Sequence, residues 1–432
     1  MHPIMNRTAS ERGAVLVQAA IVLLVLLAFT TFVFDHGVLW VARNQAQTAA
    51  DAGALAGAIG LAYDDTTWQD GVGPTVNPDL IKISAARAAL CASGSSGCTS
   101  TEWAANPNPV WQAQSGASAA VDVLFECPAG FSGHCLRVNV YRNGEGNGFI
   151  PGPSSMLPTF FGPLLGIQSQ GVKATASARV AAANGTNCLR PFAIPDFFAD
   201  NDGHEGFDLG GVPADTYTPP TSDDPGTGYQ LQYDVGTELI LKDHTQISSG
   251  NFRLMDLFPD NGGGTSQASD VIQACTPAEW AIGEQLQKKA GNSAGIKDAM
   301  KSIYQLDPGA YWDGSKIANS CVARHDCQRY SWDSSGNLTG PVLDSAATIS
   351  PRLLVLPVYD PQIEAQALAD TGKDNLHIVN FVGFFYSYPY PDEQNPTEYH
   401  GIIVSGGSGL VTSGSATVSL DSAFLKVIQL IR

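Results

Sequence analysis

Carboxylates are concentrated in one stretch of the sequence, PDFFADNDGHEGFD, at residues 195–208. Calcium binds six to eight oxygen atoms, so a loop with this many carboxylates has the chemistry to hold an ion. The spacing is not that of an EF-hand, because Asp200 and Asp202 at loop positions 3 and 5 would place Phe198 and Leu209 at positions 1 and 12. Two interpretations stay open, a calcium site and a solvated acidic turn. The candidate ligands are Asp196, Asp200, Asp202, Glu205 and Asp208.

Cysteine is the other residue type with chemistry of its own, and all eight cysteines lie beyond residue 90. None of them forms a CxxC pair, so a redox motif or a zinc ribbon is a weak interpretation. An even number of cysteines favours disulfides formed in an oxidising compartment. Proximity in the sequence suggests three short pairs and leaves one pair to close a larger loop. The suggested pairs are Cys91–Cys98, Cys127–Cys135, Cys321–Cys327 and Cys188–Cys275.

Catalytic motifs are missing from the sequence, which has no HExxH, no GxSxG, no P-loop and no Rossmann fingerprint. A Ser-His-Asp triad can assemble from residues distant in the sequence, so a hydrolase with an unrecognised site is one alternative. We expect a protein that is not an enzyme and has no cofactor other than calcium. The net charge of −18 and the lack of a basic cluster argue against binding to nucleic acid.

A long apolar run precedes all of these residues, from Gly13 to Phe34, and it contains no charge. As a helix, its 22 positions would span roughly 33 Å, slightly more than the hydrocarbon core of a bilayer. A cleaved signal peptide usually has a shorter apolar region and ends at a small-x-small site, which TFVFDHG does not offer. A buried core helix usually shows a polar stripe, which is also missing. An uncleaved membrane anchor is therefore favoured over both alternatives.

Charges on either side of the run predict its orientation. Arg7 and Arg12 precede it, whereas Asp35 closes it and only Arg43 follows nearby. The positive-inside rule then leaves residues 1–12 in the cytoplasm and places the rest outside, as in a single-pass protein of the cytoplasmic (inner) membrane.

Beyond the anchor the helical pattern continues to about residue 62 without a proline, and its second half consists mostly of alanine and glycine. Gly53 and Gly57 lie four residues apart and so share a face that another backbone could approach closely. Two interpretations remain for this face, close packing with a second chain, which includes a homo-oligomer, and an alanine-rich helix that packs on a sheet.

Period-two alternation and frequent turn residues predict a strand-rich remainder, and the fold class is α+β. The first unit combines the long helix with an antiparallel sheet, and the second is a mostly β domain with disulfides. Two helices are predicted in the second unit, TPAEWAIGEQLQKKAG with Thr276 as its N-cap, and AGIKDAMKSIYQL. The predicted parts are a tail at 1–12, a transmembrane helix at 13–34, an extracytoplasmic helix plus β domain at 35–183 and a β-rich C-terminal domain at 184–432.

The amino-terminal sequence combines an RG pair, an apolar span, an acidic residue at its end, a nearby aromatic residue and an xxQxAADAxALAxA helix. The residues of this pattern are Arg12, Gly13, Asp35, Trp40, Gln47, Ala49, Ala50, Asp51, Ala52, Ala54, Leu55 and Ala56. The pattern resembles the TadE/TadG-like family of the tight-adherence (Flp) pilus-assembly system. The later segment FFGPLLGIQSQGVKATASARV is also similar to the membrane-distal β segment of the family.

The resemblance implies a membrane-anchored structural or assembly component of a pilus or secretion apparatus, without enzymatic activity, whose partners are other envelope proteins of that system. Pilin-type precursors are cut after a glycine that is followed five residues later by glutamate. Gln18 occupies that position after Gly13. An uncut, TadG-like anchor is therefore expected in preference to a TadE-like pseudopilin. The alternative function is an envelope protein that binds a ligand or calcium and uses a Tad-like anchor.

Overall fold

A computed structural model describes most of the chain. The described residues are 8–63, 67–69, 73–75, 111–112, 120–131, 134–142, 156–160, 162–243, 246–257, 265–275, 278–289, 295–370, 375–387, 398–405 and 418–431. They fall into two compact units, residues 1–61, 79–179 and 430–432 in the first and residues 62–78 and 180–429 in the second. The four parts predicted from the sequence stay a prediction.

The chain has an α+β fold in which strands predominate. The helices are α1 (Thr8–Tyr63), α2 (Leu231–Asp234), α3 (Thr265–Gln273), α4 (Ile296–Leu306), α5 (Cys321–Arg324) and α6 (Pro361–Asp370), with a 3-10 helix at Gly162–Leu165. The strands are β1 (Thr67–Gln69), β2 (Gly73–Thr75), β3 (Trp111–Gln112), β4 (Ala120–Leu124), β5 (His134–Arg142), β6 (Leu157–Pro158), β7 (Ser169–Gln170), β8 (Val172–Ala182), β9 (Gly185–Thr186), β10 (Phe192–Pro195), β11 (Glu238–Asp243), β12 (Asn251–Asp256), β13 (Trp280–Ala281), β14 (Gln285–Lys288), β15 (Tyr311–Trp312), β16 (Ile317–Ala318), β17 (Gln328–Trp332), β18 (Leu338–Leu343), β19 (Leu353–Tyr359), β20 (Asn375–Tyr386), β21 (Glu398–Val404) and β22 (Lys426–Ile431).

Helix α1 contains the predicted span and its continuation in one unbroken element of 56 residues. Among the described residues it is the helix that is long and apolar enough to cross a membrane. Its apolar side chains between residues 15 and 34 are exposed, for example Leu24 at 68%. The described residues therefore do not bury this segment, which argues against the core-helix interpretation. Alanine has the highest helix propensity of all residues, which explains why the helix continues through the second half.

A five-stranded sheet has the order β22-β8-β5-β4-β3, and its β3–β4 and β4–β5 pairs, which lie in the first unit, are antiparallel. Strand β8 alternates strictly at its start, where Val172, Ala174 and Ala176 are buried while Lys173 and Thr175 are exposed. This alternation is the period-two pattern of a strand with one covered face. The predicted α+β class, with a long N-terminal helix and a strand-rich remainder, is confirmed.

The second unit is built on a mixed sheet with the order β10-β19-β20-β14-β12-β11-β21. The additional pairing of β10 with β12 closes a circuit through β12, β14, β20 and β19 back to β10. Strand β19 is buried along its full length, and its successive residues contribute alternately to two hydrophobic clusters. A strand covered on both faces has no polar side, so LLVLPVY is a continuous apolar run.

Three predicted disulfides are present in the part of the chain that the structure describes, Cys127–Cys135, Cys188–Cys275 and Cys321–Cys327. The predicted pair Cys91–Cys98 lies outside the described residues. The predicted helix AGIKDAMKSIYQL is confirmed as α4, whose buried residues recur at the spacing of one helix face.

The helix predicted from Thr276 to Gly291 is wrong, because this segment contains the strands β13 and β14. Gly283 has φ +93° and forms the turn between them. Leu286 is buried between the exposed Gln285 and Gln287, which is the pattern of a strand. The capping signals in the sequence are local, whereas pairing of β14 with β12 and β20 decides the outcome.

A buried arginine ties three segments of the second unit together. The guanidinium of Arg352, which is fully buried, donates from Nη1 to the carbonyl oxygens of Asp307 at 2.9 Å and Ala310 at 2.7 Å. Its Nε donates to Tyr386 O at 2.8 Å and its Nη2 to Ser387 O at 3.1 Å. The positive charge of Arg352 is thereby stabilised by backbone carbonyl groups that lie just after the end of α4 and at the end of β20.

Replacing this residue, Arg352→Met, should lower the free energy of unfolding of the second unit by about 3–5 kcal/mol, because buried carbonyls lose their donors at about 1–3 kcal/mol each. Thermal or chemical unfolding of the full chain in detergent measures the change. Lys316→Met, at an exposed lysine, is the matched control and should change the free energy by less than about 0.5 kcal/mol. Equal stability of the two variants would contradict the assigned role.

Candidate functional site

Asp35 is the first charged residue after the apolar run, and its carboxylate holds a distant part of the chain against α1. Its Oδ1 accepts a hydrogen bond from the backbone N–H of Phe160 at 2.8 Å. Its Oδ2 accepts one from the N–H of Gly162 at 3.0 Å. Both oxygens of the side chain are therefore used by a segment 125–127 residues later in the sequence. Hydrogen bonds to a charged acceptor are roughly twice as strong as neutral ones, so this contact fixes the position of the segment.

The segment that Asp35 holds is a short hairpin of residues 156–170, called here the 156–170 hairpin. Strand β6 pairs with β7, and the N–H of Thr159 donates to Gln168 O at 3.2 Å. Gly162 begins the 3-10 helix at a place where a Cβ atom would lie 2.3 Å from Ile167 O, so only glycine fits. Gly166 has φ +80°, which also favours glycine. Gly162 and Gly166 thus permit the backbone shape of the tip.

The contact of Asp35 with the 156–170 hairpin is called here the junction. Apolar side chains surround it and are exposed to solvent. Phe160, at the tip of the 156–170 hairpin, is 72% exposed, and Met156 and Ile167 are also exposed. On α1, Trp40 is 62% exposed. An apolar groove runs along the helix here. It is lined by Val33, Phe34, Gly37, Val38, Trp40, Val41, Ala42, Gln45 and Leu157.

Further along α1, the side that faces the rest of the chain is made of small residues. Ala42, Ala46, Ala50, Ala54 and Ala58 recur every four residues and are all buried. Residues four apart share one face of a helix, and an alanine face lets a neighbouring backbone approach closely. The Nε2 of Gln47 donates to Thr175 O at 3.1 Å on strand β8 and to Asp51 Oδ1 at 2.8 Å. This face is an internal packing surface of the chain.

The α1 residues at the junction and along the small-residue face belong to one continuous segment. Residues 13–60 match the Tad family model of Flp pilus-assembly TadE/G-like proteins. The match does not separate TadG-like from TadE-like chains. Comparisons of the chain with curated proteins and with solved structures found no match.

Within this TadE/G-like segment, several residues of the pattern have structural roles that the sequence alone did not reveal. Asp35 anchors the 156–170 hairpin, Gln47 caps a carbonyl of strand β8, and Ala50 and Ala54 pack inside the chain. Trp40 stays exposed beside the apolar groove. The TadE/G-like segment therefore joins an apolar span to a folded sheet.

Gly53 and Gly57, predicted as a close-packing pair, are buried in the described structure. They lie on the covered side of α1, whereas Leu55 and Ile59 lie on its exposed side. Their packing is thus within the chain, as in the interpretation of a small-residue helix under a sheet. A homo-oligomer through α1 would use other positions.

The predicted acidic ligands lie in two different environments. Asp196 is fully buried, and its Oδ2 accepts from the hydroxyl of Tyr217 at 2.9 Å and its Oδ1 from the N–H of Tyr229 at 2.9 Å. Burial raises the pKa of Asp196 to about 6, although the hydrogen bonds oppose this shift. Asp196 thus belongs to the core. Glu205 is exposed, and Asp208 Oδ1 accepts from the N–H of Gly210 at 2.7 Å.

Three other carboxylates converge, Asp200, Asp202 and Asp215, with one oxygen of each within 4.8 Å of the others. Oxygens bound to one calcium ion at 2.3–2.6 Å lie at most about 5 Å apart, so the spacing is compatible with an ion. Oδ2 of Asp202 is shielded from solvent and accepts no hydrogen bond from the described residues. The sequence reasoning missed Asp215, because it lies 13 residues beyond Asp202 with no ligand pattern around it.

Removing the carboxylate at the junction, Asp35→Ala, should expose the amides of Phe160 and Gly162 to hydrogen exchange. The loss of two charge-assisted hydrogen bonds at an accessible site, roughly 1–3 kcal/mol together, corresponds to exchange about 10–100 times faster. Amide-resolved exchange of the full chain in detergent measures it, with Thr48→Ala as the control on an exposed side of α1. Unchanged protection in Asp35→Ala would contradict the anchoring role.

The calcium interpretation predicts that chelator-treated protein gives a saturable heat of binding when it is titrated with calcium. Asp202→Asn should abolish this heat because it removes a charge from the three converging carboxylates. Glu205→Gln should leave it unchanged, since Glu205 lies outside that group. No heat from the unmodified chain at millimolar calcium would exclude the calcium site and leave the solvated acidic turn.

Proposed function

We propose that this protein is a membrane-anchored, non-enzymatic component of the assembly of a Flp (Tad-like) pilus or a related secretion apparatus. The observation that carries the proposal is the TadE/G-like match at residues 13–60, the segment that links the span to the folded part. Asp35 and the alanine face give this segment a structural use, and they support a role in positioning rather than in chemistry.

The proposed location is the cytoplasmic membrane, with one span, residues 1–12 inside and the rest outside. Support comes from Arg7 and Arg12 before the span and from disulfides in the part that would lie outside. Because α1 continues without a break beyond the apolar run, a signal-peptidase cut after Phe34 would separate the anchor from the packing surface on the same helix. With Gln18 in place of the pilin glutamate, we favour an uncut, TadG-like anchor.

The proposed partners are other envelope proteins of the pilus or secretion system. The buried positions of Gly53 and Gly57 leave the exposed residues 15–34 as the part of α1 that a second copy would meet inside the membrane. A ligand- or calcium-binding envelope protein with the same anchor is the alternative, and the converging carboxylates of Asp200, Asp202 and Asp215 favour it.

A complementation experiment separates these two functions. Cells that lack the chain should have lost surface filaments, and the unmodified chain should restore them. Asp35→Ala should restore at most about a tenth of the filaments, because the span is no longer tied to the 156–170 hairpin, whereas Asp202→Asn should restore them fully. Filament counts by electron microscopy provide the measurement, with membrane levels of each variant matched by immunoblotting.

Filaments that persist without the chain would refute the role in assembly. Failure of Asp202→Asn alone would instead favour the alternative. Val342→Ser, at an exposed position on β18, is the matched surface control and should complement fully.

A further inference from the structure

Beyond the proposed function, the junction points to a second contact with the membrane. We infer that the 156–170 hairpin rests in the interface of the bilayer that α1 spans, with Phe160 inserted among the lipid headgroups and upper acyl chains. This inference depends on the membrane anchoring by α1 but does not depend on a role in pilus assembly.

The depth of the hairpin follows from Asp35. The apolar run ends at Phe34, so Asp35 lies where a span of this length leaves the hydrocarbon core. The amide nitrogen of Phe160 is 2.8 Å from Asp35 Oδ1. The backbone of the hairpin tip is therefore at the level where the span ends.

The composition of the hairpin matches this environment. Residues 156–170, MLPTFFGPLLGIQSQ, contain no charged side chain. Phe160, Met156 and Ile167 are exposed apolar groups that no described residue covers. Aromatic rings are enriched at membrane interfaces, and burying exposed apolar area there is favourable at about 25 cal/mol per Å².

The apolar surface is also continuous with the span. Phe34 and Val41 line the groove on α1, and Leu157 of the hairpin contributes to the same groove. Trp40 is exposed about 7.5 Å further along the helix axis than Asp35, at the depth of an aromatic belt. A carboxylate at this border is costly unless its oxygens find donors, and the two hairpin amides provide them.

Photocrosslinking in vesicles tests the inference. A benzophenone side chain replaces Phe160 in the full chain, which is reconstituted into vesicles of phosphatidylcholine and phosphatidylglycerol and irradiated. Mass spectrometry should find phospholipid adducts at residue 160 with a yield at least about ten times that at Val212, an exposed position on an unrelated loop. Combining the label with Asp35→Ala should reduce the yield, because the hairpin is then released from the level of the span.

A third benzophenone label, at Leu24 within the span, reports separately on whether α1 is in the bilayer. Lipid adducts at Leu24 without adducts at residue 160 would overturn the inference and leave the anchor intact. Adducts at residue 160 to a second protein chain would show that the hairpin binds protein instead. Absence of lipid adducts at both positions would refute the anchoring and the inference together, while filament assembly is judged separately by complementation.

Discussion

The bond between one carboxylate and two backbone amides sets the geometry of the first unit. Asp35 stands at the end of an apolar run, where an unpaired charge is expensive and a satisfied one is tolerated. Its two oxygens accept hydrogen bonds from Phe160 and Gly162, so the charge is stabilised by the same segment that it positions. Because Gly162 has no room for a Cβ atom, the hairpin can offer its amides in this geometry only with glycine there. The acidic residue and the distant FGPLLG sequence therefore depend on each other.

The TadE/G-like segment beyond this bond is an internal surface made of the smallest side chains. Ala50 and Ala54 are fully buried without adding bulk, and Gln47 supplies the polar contact with strand β8 that alanine cannot. Close approach of this kind maximises dispersion contacts between backbones while it loses little side-chain entropy. Such a surface is sensitive to size rather than to polarity, which explains why alanine and glycine recur along it.

Much of the fold could be predicted from local patterns, and the errors have a common physical origin. The length of α1, the strands with period-two alternation and the short disulfide loops are encoded by neighbouring residues. The segment from Thr276 became two strands because β12 and β20, distant in the sequence, pair with it. Neither the partner of Asp35 nor the contribution of Asp215 to the acidic group could be predicted from the sequence, because both depend on chain segments that only folding brings together. Local chemistry identified Asp35 as notable but could not show what it binds.

Because α1 is one unbroken helix, a tilt at one end displaces the other end. No proline interrupts the helix between its apolar run and Leu61, so both parts share one axis. The 26 helical steps from Asp35 to Leu61 extend about 39 Å. Tilting the span by roughly 10°, well within the range that transmembrane helices adopt, would sweep the far end sideways by about 7 Å. In the proposed membrane location, a change in bilayer thickness or a lateral pull on residues 15–34 would therefore displace the far end of α1.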